Sequence, residues 1–351
     1  MARLDDSSRT VGERPPSGVL LGGLFALLLA LLMMACTATA EPETNMRLPT
    51  RILRTSTPTA TVTLTPFPIP AQAYYEEGLA RQAGDDLEGA LQSFNWALQR
   101  DPAFVPAYVA RGTIYLNQGQ PRRARAEAQA ALVIAPQFVP ALVLEGESLR
   151  AIGKPALAVD AFRRAVELEP SILEEVFRSY WLAAQAADDT TRMVALGREY
   201  GKLHPDDPLR HYYRAWPFIA MDGGNAAIKI LVQGIETSPD PPALLWFALG
   251  TAYIQEQVWP DAVTALETAR ILVQTGDTSL ALHSDRPVAD LFLALGRAYL
   301  GVGRCVDAEV MLRYAVDIGA SSEMVAEWLE AASMCQTPTP TVTPYLTATP
   351  G

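Results

Sequence analysis

The sequence predicts an all-α fold built from repeated helix pairs, and two observations carry this prediction. First, the chain repeats without a gap in three blocks, residues 71 to 104, 105 to 138 and 139 to 172, each 34 residues long. Second, four columns recur in every block: Gly78, Gly112 and Gly146; Ala90, Ala124 and Ala158; Ala97, Ala131 and Ala165; Pro102, Pro136 and Pro170. A fixed period of this length is typical of a solenoid whose units stack on their neighbours.

Each block contains two amphipathic segments of about 12 to 14 residues, which indicate two helices that are too short to be stable alone in water. The recurring Gly and the first recurring Ala remove side chains where the two helices approach most closely. A bulky residue such as Phe94 or Phe162 can then fill the space beside them. The recurring Pro ends the second helix because it has no N–H to donate. Neighbouring blocks must therefore stack to complete a core.

The pattern returns in a block that starts at Ala243, with Trp246, Leu249, Gly250, Tyr253, Ala262 and Ala269. A last block from Ala289 carries Phe292, Leu295, Gly296, Tyr299, Gly303, Ala308 and Ala315. The first of these reads W-x2-L-G-x2-Y, and with the three tandem blocks it resembles the tetratricopeptide repeat (TPR) family. The resemblance covers roughly residues 71 to 335. It implies a right-handed solenoid of about seven helix pairs that binds partners and has no catalytic role.

The repeat is not uniform along the chain. Residues 71 to 172 form three regular units, and residues 173 to 242 keep the period so weakly that we expect two degenerate units. Residues 243 to 321 hold two further units with an insertion near 276 to 287, whose Gly, Asp, Ser and Pro content indicates a loop. Residues 322 to 335 form one amphipathic segment that is suited to cap the stack.

Residues 1 to 36 are predicted to be an export signal or membrane anchor, because an apolar run from 18 to 35 follows an Arg-containing head. The run ends in Met33, Met34, Ala35 and Cys36, which resembles a bacterial lipobox and implies that Cys36 is lipidated. Two alternatives stay open: an uncleaved single membrane span, and ordinary cleavage after Ala40. The expected location is the bacterial cell membrane, facing outside, held by a lipid or by a single N-terminal span.

Thr and Pro dominate residues 37 to 70 and the tail from 336 to 351. Segments of this composition cannot bury a core, so we expect an extended linker and a disordered tail. Glycosylation of the threonines stays open.

Cys305 and Cys335 remain as an even pair once Cys36 is assigned to the lipobox. In the repeat frame both lie at the same edge of the solenoid, one at the start of a helix and one at the end of the cap. We predict a disulfide between them, which favours an oxidising compartment. The alternative is two buried free thiols, since Cys also packs as a small hydrophobe.

The sequence predicts no catalytic residues and no cofactor, because the common nucleotide-binding, zinc-protease and nucleophile motifs are missing from it. A net charge of -11 makes nucleic acid an improbable partner. One titratable cluster, HPDDPLRH at 204 to 211, contains two His and two Asp residues. We interpret it as a turn with capping aspartates and predict no metal there.

The resemblance implies that the first helix of each pair lines a concave groove. The residues at groove positions are Tyr75, Leu79, Val109, Thr113, Val143, Glu147 and Arg150. They form a mixed, partly apolar surface that fits a protein or peptide segment, although the same side chains could simply pack against neighbouring helices. The predicted function is a membrane-tethered, extracytoplasmic scaffold for protein interactions, and the partner's identity and the oligomeric state stay open.

Tyr212 and Trp216 stand among many aromatic residues in the degenerate centre. We predict that they contribute to partner binding. Because flat aromatic faces can stack on sugars, the alternative function is a surface glycan-binding lipoprotein. Core packing of an irregular repeat is the competing interpretation.

Overall fold

The computed structural model describes residues 69 to 336. The predicted signal or anchor with Cys36, almost all of the linker, and the tail beyond residue 336 lie outside the described residues. Across the part of the chain that is described, secondary structure consists of fifteen α-helices and two short 3-10 turns, with no strand. None of these helices is both long and apolar enough to cross a membrane.

The helices form seven consecutive pairs and one final single helix, which confirms the predicted solenoid of helix pairs with a cap. The pairs are α1 (Ala71–Ala83) with α2 (Leu87–Arg100), α3 (Val105–Asn117) with α4 (Pro121–Ile134), α5 (Val139–Ile152) with α6 (Pro155–Leu168), α7 (Leu173–Ala186) with α8 (Thr190–Leu203), α9 (Leu209–Ala220) with α10 (Gly224–Thr237), α11 (Ala243–Gln255) with α12 (Trp259–Gln274), and α13 (Pro287–Gly301) with α14 (Cys305–Asp317). The single helix is α15 (Ser322–Gln336). The 3-10 turns are Pro170–Ile172 and Ser279–Leu282.

The recurring glycine is required by the close approach of the two helices in a pair. A Cβ on Gly146 of α5 would lie 2.8 Å from the ring of Phe162 on α6, and one on Gly296 would lie 2.6 Å from Leu312. Real Cβ atoms do not approach other atoms this closely, because protein interiors are packed to the density of organic crystals. The glycine and the bulky residue opposite it therefore act as one packing unit.

The second pair solves the same problem with a residue from the next unit. Its α4 helix carries the small residue Ala128 where α2 and α6 carry phenylalanine. Leu144 of α5 fills the space instead, and a Cβ on Gly112 would lie 2.5 Å from its Cδ2 atom. The stack is therefore held together across units as well as within them.

The fourth pair exchanges the positions of its large and small residues. The eighth and ninth residues of α7 are the buried Tyr180 and Trp181, while the eighth residue of α8 is Gly197. A Cβ on Gly197 would clash with the backbone carbonyl of Tyr213 on α9. The glycine thus serves contact with the following helix, which explains why this unit lacks the repeat pattern while it keeps the fold.

One continuous hydrophobic core runs from Leu149 on α5 to Ala332 on α15. At its C-terminal end, Val325 of α15 packs fully buried beside Leu312 of α14. A disulfide joins Cys305, the first residue of α14, to Cys335 near the end of α15, with their Cα atoms 5.9 Å apart. The last helix is therefore fixed to the stack by apolar packing and by a covalent bond.

Candidate binding surface on the inner face

We call the surface formed by the first helices of the pairs the inner face. On α1, Tyr75 is half-buried, with its ring centre 5.7 Å from that of Phe94 and 5.4 Å from that of Phe104. Leu79, one turn further on, is 41% exposed. Tyr75 therefore contributes mainly to packing, and Leu79 is open to a partner.

On α3 and α5 the predicted groove residues are half-buried. The Thr113 hydroxyl donates to the backbone carbonyl of Val109 at 2.9 Å, and Val143 packs against the main core. Glu147 lies 3.7 Å from the Arg150 guanidinium. The apolar members of this set support the helices, while the charged pair faces the groove.

Arg150 makes its strongest contact with a residue far away in the sequence. Its Nη1 atom donates to Asp285 Oδ2 at 2.7 Å. Asp285 belongs to the predicted insertion, which we call the inner segment and define as residues 275 to 286, between α12 and α13. The insertion therefore reaches back to the third pair.

The inner segment begins by capping α11. Asp277 Oδ2 accepts a hydrogen bond from the backbone N–H of Ala243 at 2.9 Å, and Ser279 Oγ accepts one from Leu244 at 3.1 Å. These two N–H groups belong to the first two residues of α11 and have no hydrogen-bond partner within the helix. The inner segment supplies their partners from outside. Its attachment at this end is specific.

His283 anchors the middle of the inner segment. Its ring centre lies 4.5 Å from that of Trp216 on α9 and 4.6 Å from that of Phe247 on α11. Its Nδ1 atom is 2.9 Å from the Tyr212 hydroxyl. Burial lowers the pKa of His283 to about 3, so the ring is neutral near pH 7. Burial also raises the pKa of Tyr212 well above its usual range, so the tyrosine keeps its proton and the hydrogen bond joins two neutral side chains.

The remaining contacts complete a line along the inner face. Arg178 of α7 donates to the backbone carbonyl of Ala281 at 3.0 Å, and Ser284 hydrogen-bonds Asp290 of α13. Leu280 is fully buried within the main core. The inner segment thus contacts five successive first helices, α5, α7, α9, α11 and α13.

Tyr212 and Trp216, which we predicted to contribute to partner binding, lie buried beneath the inner segment. Tyr212 is 0% exposed and Trp216 is 9% exposed, because the inner segment covers one side and other aromatic rings pack on the other. Four neighbouring aromatic residues, Phe177, Trp181, Tyr200 and Tyr213, stack against one another. Phe218, on the same helix as Tyr212 and Trp216, is 37% exposed.

The inner segment does not fill the space that it covers. A cleft of about 470 Å³ lies between the segment and helices α5 and α7. Gln185 Oε1 in its wall is buried without a hydrogen-bond partner, and so is Arg150 Nε. Buried polar atoms are normally paired, so this part of the inner face holds unused binding capacity.

The cluster at 204 to 211 is a turn between α8 and α9. Asp207 accepts hydrogen bonds from the backbone N–H of Leu209 at 2.8 Å and from the Tyr200 hydroxyl at 2.5 Å. His211 is buried beneath α10, where it contacts Gly234. In residues 69 to 336 no group of three or more His, Cys, Asp or Glu residues could hold a metal ion. The Asp207 carboxylate therefore serves the start of α9.

Comparisons with known proteins identify the architecture. No family model matches the chain. An 89-residue segment is 34% identical to "Tetratricopeptide repeat protein 6" of Homo sapiens, and the match covers 24% of this chain and 17% of that protein. The chain therefore spans only a small part of this human relative.

One solved structure shows the likeness in three dimensions. A tetratricopeptide repeat protein from Parabacteroides merdae ATCC 43184 aligns over 75% of this chain and 98% of its own, with a TM-score of 0.60 and 16% identity, so the likeness is one of fold. The C-terminal part of a TPR repeat-containing protein from Cytophaga hutchinsonii aligns over 73% and 99%, with a TM-score of 0.44 and 13% identity.

Proposed function

We propose that this chain, which has the tetratricopeptide repeat fold, is a non-catalytic scaffold that binds segments of protein partners along its inner face. One observation carries the proposal: the inner face already holds a stretch of polypeptide, the inner segment, across five first helices. The human and bacterial relatives named above support the fold on which the proposal depends.

The contacts of the inner segment are those with which a groove recognises a peptide. Arg178 binds a backbone carbonyl, Arg150 binds a carboxylate, and Trp216 with Phe247 encloses a flat ring. Backbone contacts of this kind give affinity, and the pocket and the charged contact give selectivity.

Crosslinking from the inner face tests the proposal. A photoreactive amino acid replaces Leu79, which is exposed on α1, and a matched variant carries it at Val133, which is 83% exposed on the second helix α4. We expect specific protein adducts from position 79 in cells, identified by mass spectrometry. Recovery of the same adducts from position 133 would contradict binding by the inner face.

We further propose that the scaffold is tethered at the outside of a bacterial membrane through Cys36. The lipobox-like sequence supports this, and so does the disulfide at the cap, because disulfides persist in oxidising compartments. Fractionation of cells that express Cys36→Ser tests the anchor. We expect the substituted protein to leave the membrane fraction. If it stays there with its apolar segment intact, lipidation is not what holds it.

We do not extend the proposal to glycans, because Tyr212 and Trp216 lie beneath the inner segment and the contacts on the inner face are those of a polypeptide.

A further inference from the structure

The inner segment is attached to the inner face by hydrogen bonds along its length, and six of its twelve residues are exposed. Leu280 and His283 are its two buried side chains, whereas Ala281, Asp285 and Arg286 are exposed. The Asp285 side chain retains 66% of its accessible surface although it pairs with Arg150. Ion pairs with this exposure are weak, so this pair orients the inner segment more than it stabilises its attachment.

The segment also has the connections that displacement requires. It joins the ends of two helices, and Gly276 at its start has a positive φ of 110° in open space, where an added Cβ would meet no atom within 4 Å. A glycine in this conformation can change its backbone angles without a steric penalty. This glycine supplies the backbone freedom that displacement requires at the start of the segment.

The surface beneath the segment would suit another polypeptide. Trp216 and Phe247 would form an open slot, and the Tyr212 hydroxyl would lie free at its base. Arg150 and Arg178 would present unpaired positive charge beside the slot. The cleft with the unpaired Gln185 Oε1 borders the same place and offers an additional acceptor.

We propose that the inner segment is an intramolecular ligand, which a partner displaces by presenting a peptide of the same chemistry. The partner segment carries a histidine or another flat side chain for the slot, and a carboxylate two residues later for Arg150, as His283 and Asp285 do. This inference rests on the proposed function, since it names the class of partner that the inner face accepts. The partner's affinity is reduced by the cost of displacing the segment.

The segment itself supplies the probe for a test. A fluorescein-labelled peptide with the sequence GDTSLALHSDRP, residues 276 to 287, is titrated by anisotropy into the full chain and into a His283→Ala, Asp285→Ala double variant. The double variant loses the two side-chain contacts of its own segment that the peptide would replace, so we expect it to bind the peptide at least about tenfold more tightly than the wild type does. A scrambled peptide of the same composition should not bind.

Two added substitutions locate the site. Arg150→Ala in the double variant should abolish the increase in peptide affinity, because it removes the cation that pairs with the peptide carboxylate. Arg198→Ala, which removes an exposed arginine from the second helix α8, is the charge-matched control and should leave the gain intact. Equal loss in both variants would overturn the assignment of the site.

A measurement on the wild type guards against misfolding of the variants. Saturating unlabelled peptide should accelerate hydrogen exchange of the chain's own residues 279 to 283, since the added peptide takes their place. Unchanged exchange, together with no binding to a double variant that keeps its helix content and its disulfide, overturns the inference. Crosslinking from position 79 can still succeed in that case, so failure here is distinguishable from failure of the proposed function.

Discussion

The buried imidazole of His283 should make the fold sensitive to acid, and replacing it with asparagine should remove that sensitivity. Burial between Trp216 and Phe247 lowers the pKa of His283 to about 3, against roughly 6.5 in an unfolded chain. Between these two values the unfolded chain binds a proton that the folded chain does not. The free energy of unfolding therefore decreases as the pH falls below about 6.5, and it is fully retained above that value.

The size of the effect follows from the unfolded pKa. A pH of 5 is about 1.5 units below the pKa of the unfolded histidine. At about 1.36 kcal/mol per unit, the free energy of unfolding is therefore about 2 kcal/mol lower at pH 5 than at pH 8. The result does not depend on the folded pKa as long as that stays below about 4. Tyr212 is neutral in this range and contributes no change. Asp290, 3.9 Å from Nε2, has a pKa that burial raises, so it acts in the opposite direction, and it is present in both proteins compared below.

Urea unfolding at pH 8 and pH 5, followed by circular dichroism, measures the effect in wild type and in His283→Asn. Asparagine can accept the Tyr212 hydrogen bond and does not titrate, so the variant should show a pH dependence smaller by about 2 kcal/mol. His211, whose pKa is lowered by burial and by Arg210 and Arg214, also contributes but is present in both proteins. Parallel pH profiles for the two proteins would refute a buried, neutral His283.

Three further substitutions, one with a matched control, test the packing, the disulfide and a helix cap. Gly146→Ala places a Cβ 2.8 Å from an aromatic ring and should destabilise by about 1 to 3 kcal/mol in urea unfolding, whereas Gly201→Ala on α8, with no atom nearby, should be neutral or slightly stabilising. Cys335→Ser opens a loop with a sequence separation of 30 and should cost about 3 to 4 kcal/mol, seen as earlier proteolysis of the cap under non-reducing conditions. Asp277→Ala removes a partner of the Ala243 N–H and should cost about 0.5 to 2 kcal/mol, with faster hydrogen exchange in the inner segment. Equal free energies of unfolding for the two glycine variants would contradict the first expectation. Unchanged proteolysis of the cap in Cys335→Ser, or unchanged hydrogen exchange of the inner segment in Asp277→Ala, would contradict the other two.

The sequence predicts the helix pairs well because the repeat records a local packing rule. A glycine in the first helix faces a large residue in the second, and this pairing lies within a single 34-residue unit, as at Gly146 and Phe162. Where the rule is broken, as at Tyr180 and Gly197, the period fades although the helices persist. The fold therefore depends on complementary volumes, and the sequence pattern shows only the commonest arrangement of them.

The inner face is harder to predict, because its contacts join residues far apart in the sequence, 135 positions apart for Arg150 and Asp285. Gly, Asp, Ser and Pro in the insertion indicate a loop, but composition does not say what a loop packs against. The repeat frame places Arg150 at a groove position, yet nothing near it in the sequence points to Asp285. The available signal is Leu280 and His283, an apolar residue and a titratable one within an otherwise small and polar stretch.

The insertion and the irregular repeats are best understood as one feature. The irregular helix α9 presents Tyr212 and Trp216 to the inner face, and Phe247 of the neighbouring helix α11 lies beside them. Without a cover, these rings would form an exposed apolar surface of the kind that marks an interaction site or promotes aggregation. These rings therefore require a cover on the inner face. In the free chain His283 of the inner segment covers them, and in the proposed complex a side chain of the partner takes its place. Loss of the repeat consensus in the centre of the solenoid thus coincides with the part of the groove that is built to be occupied.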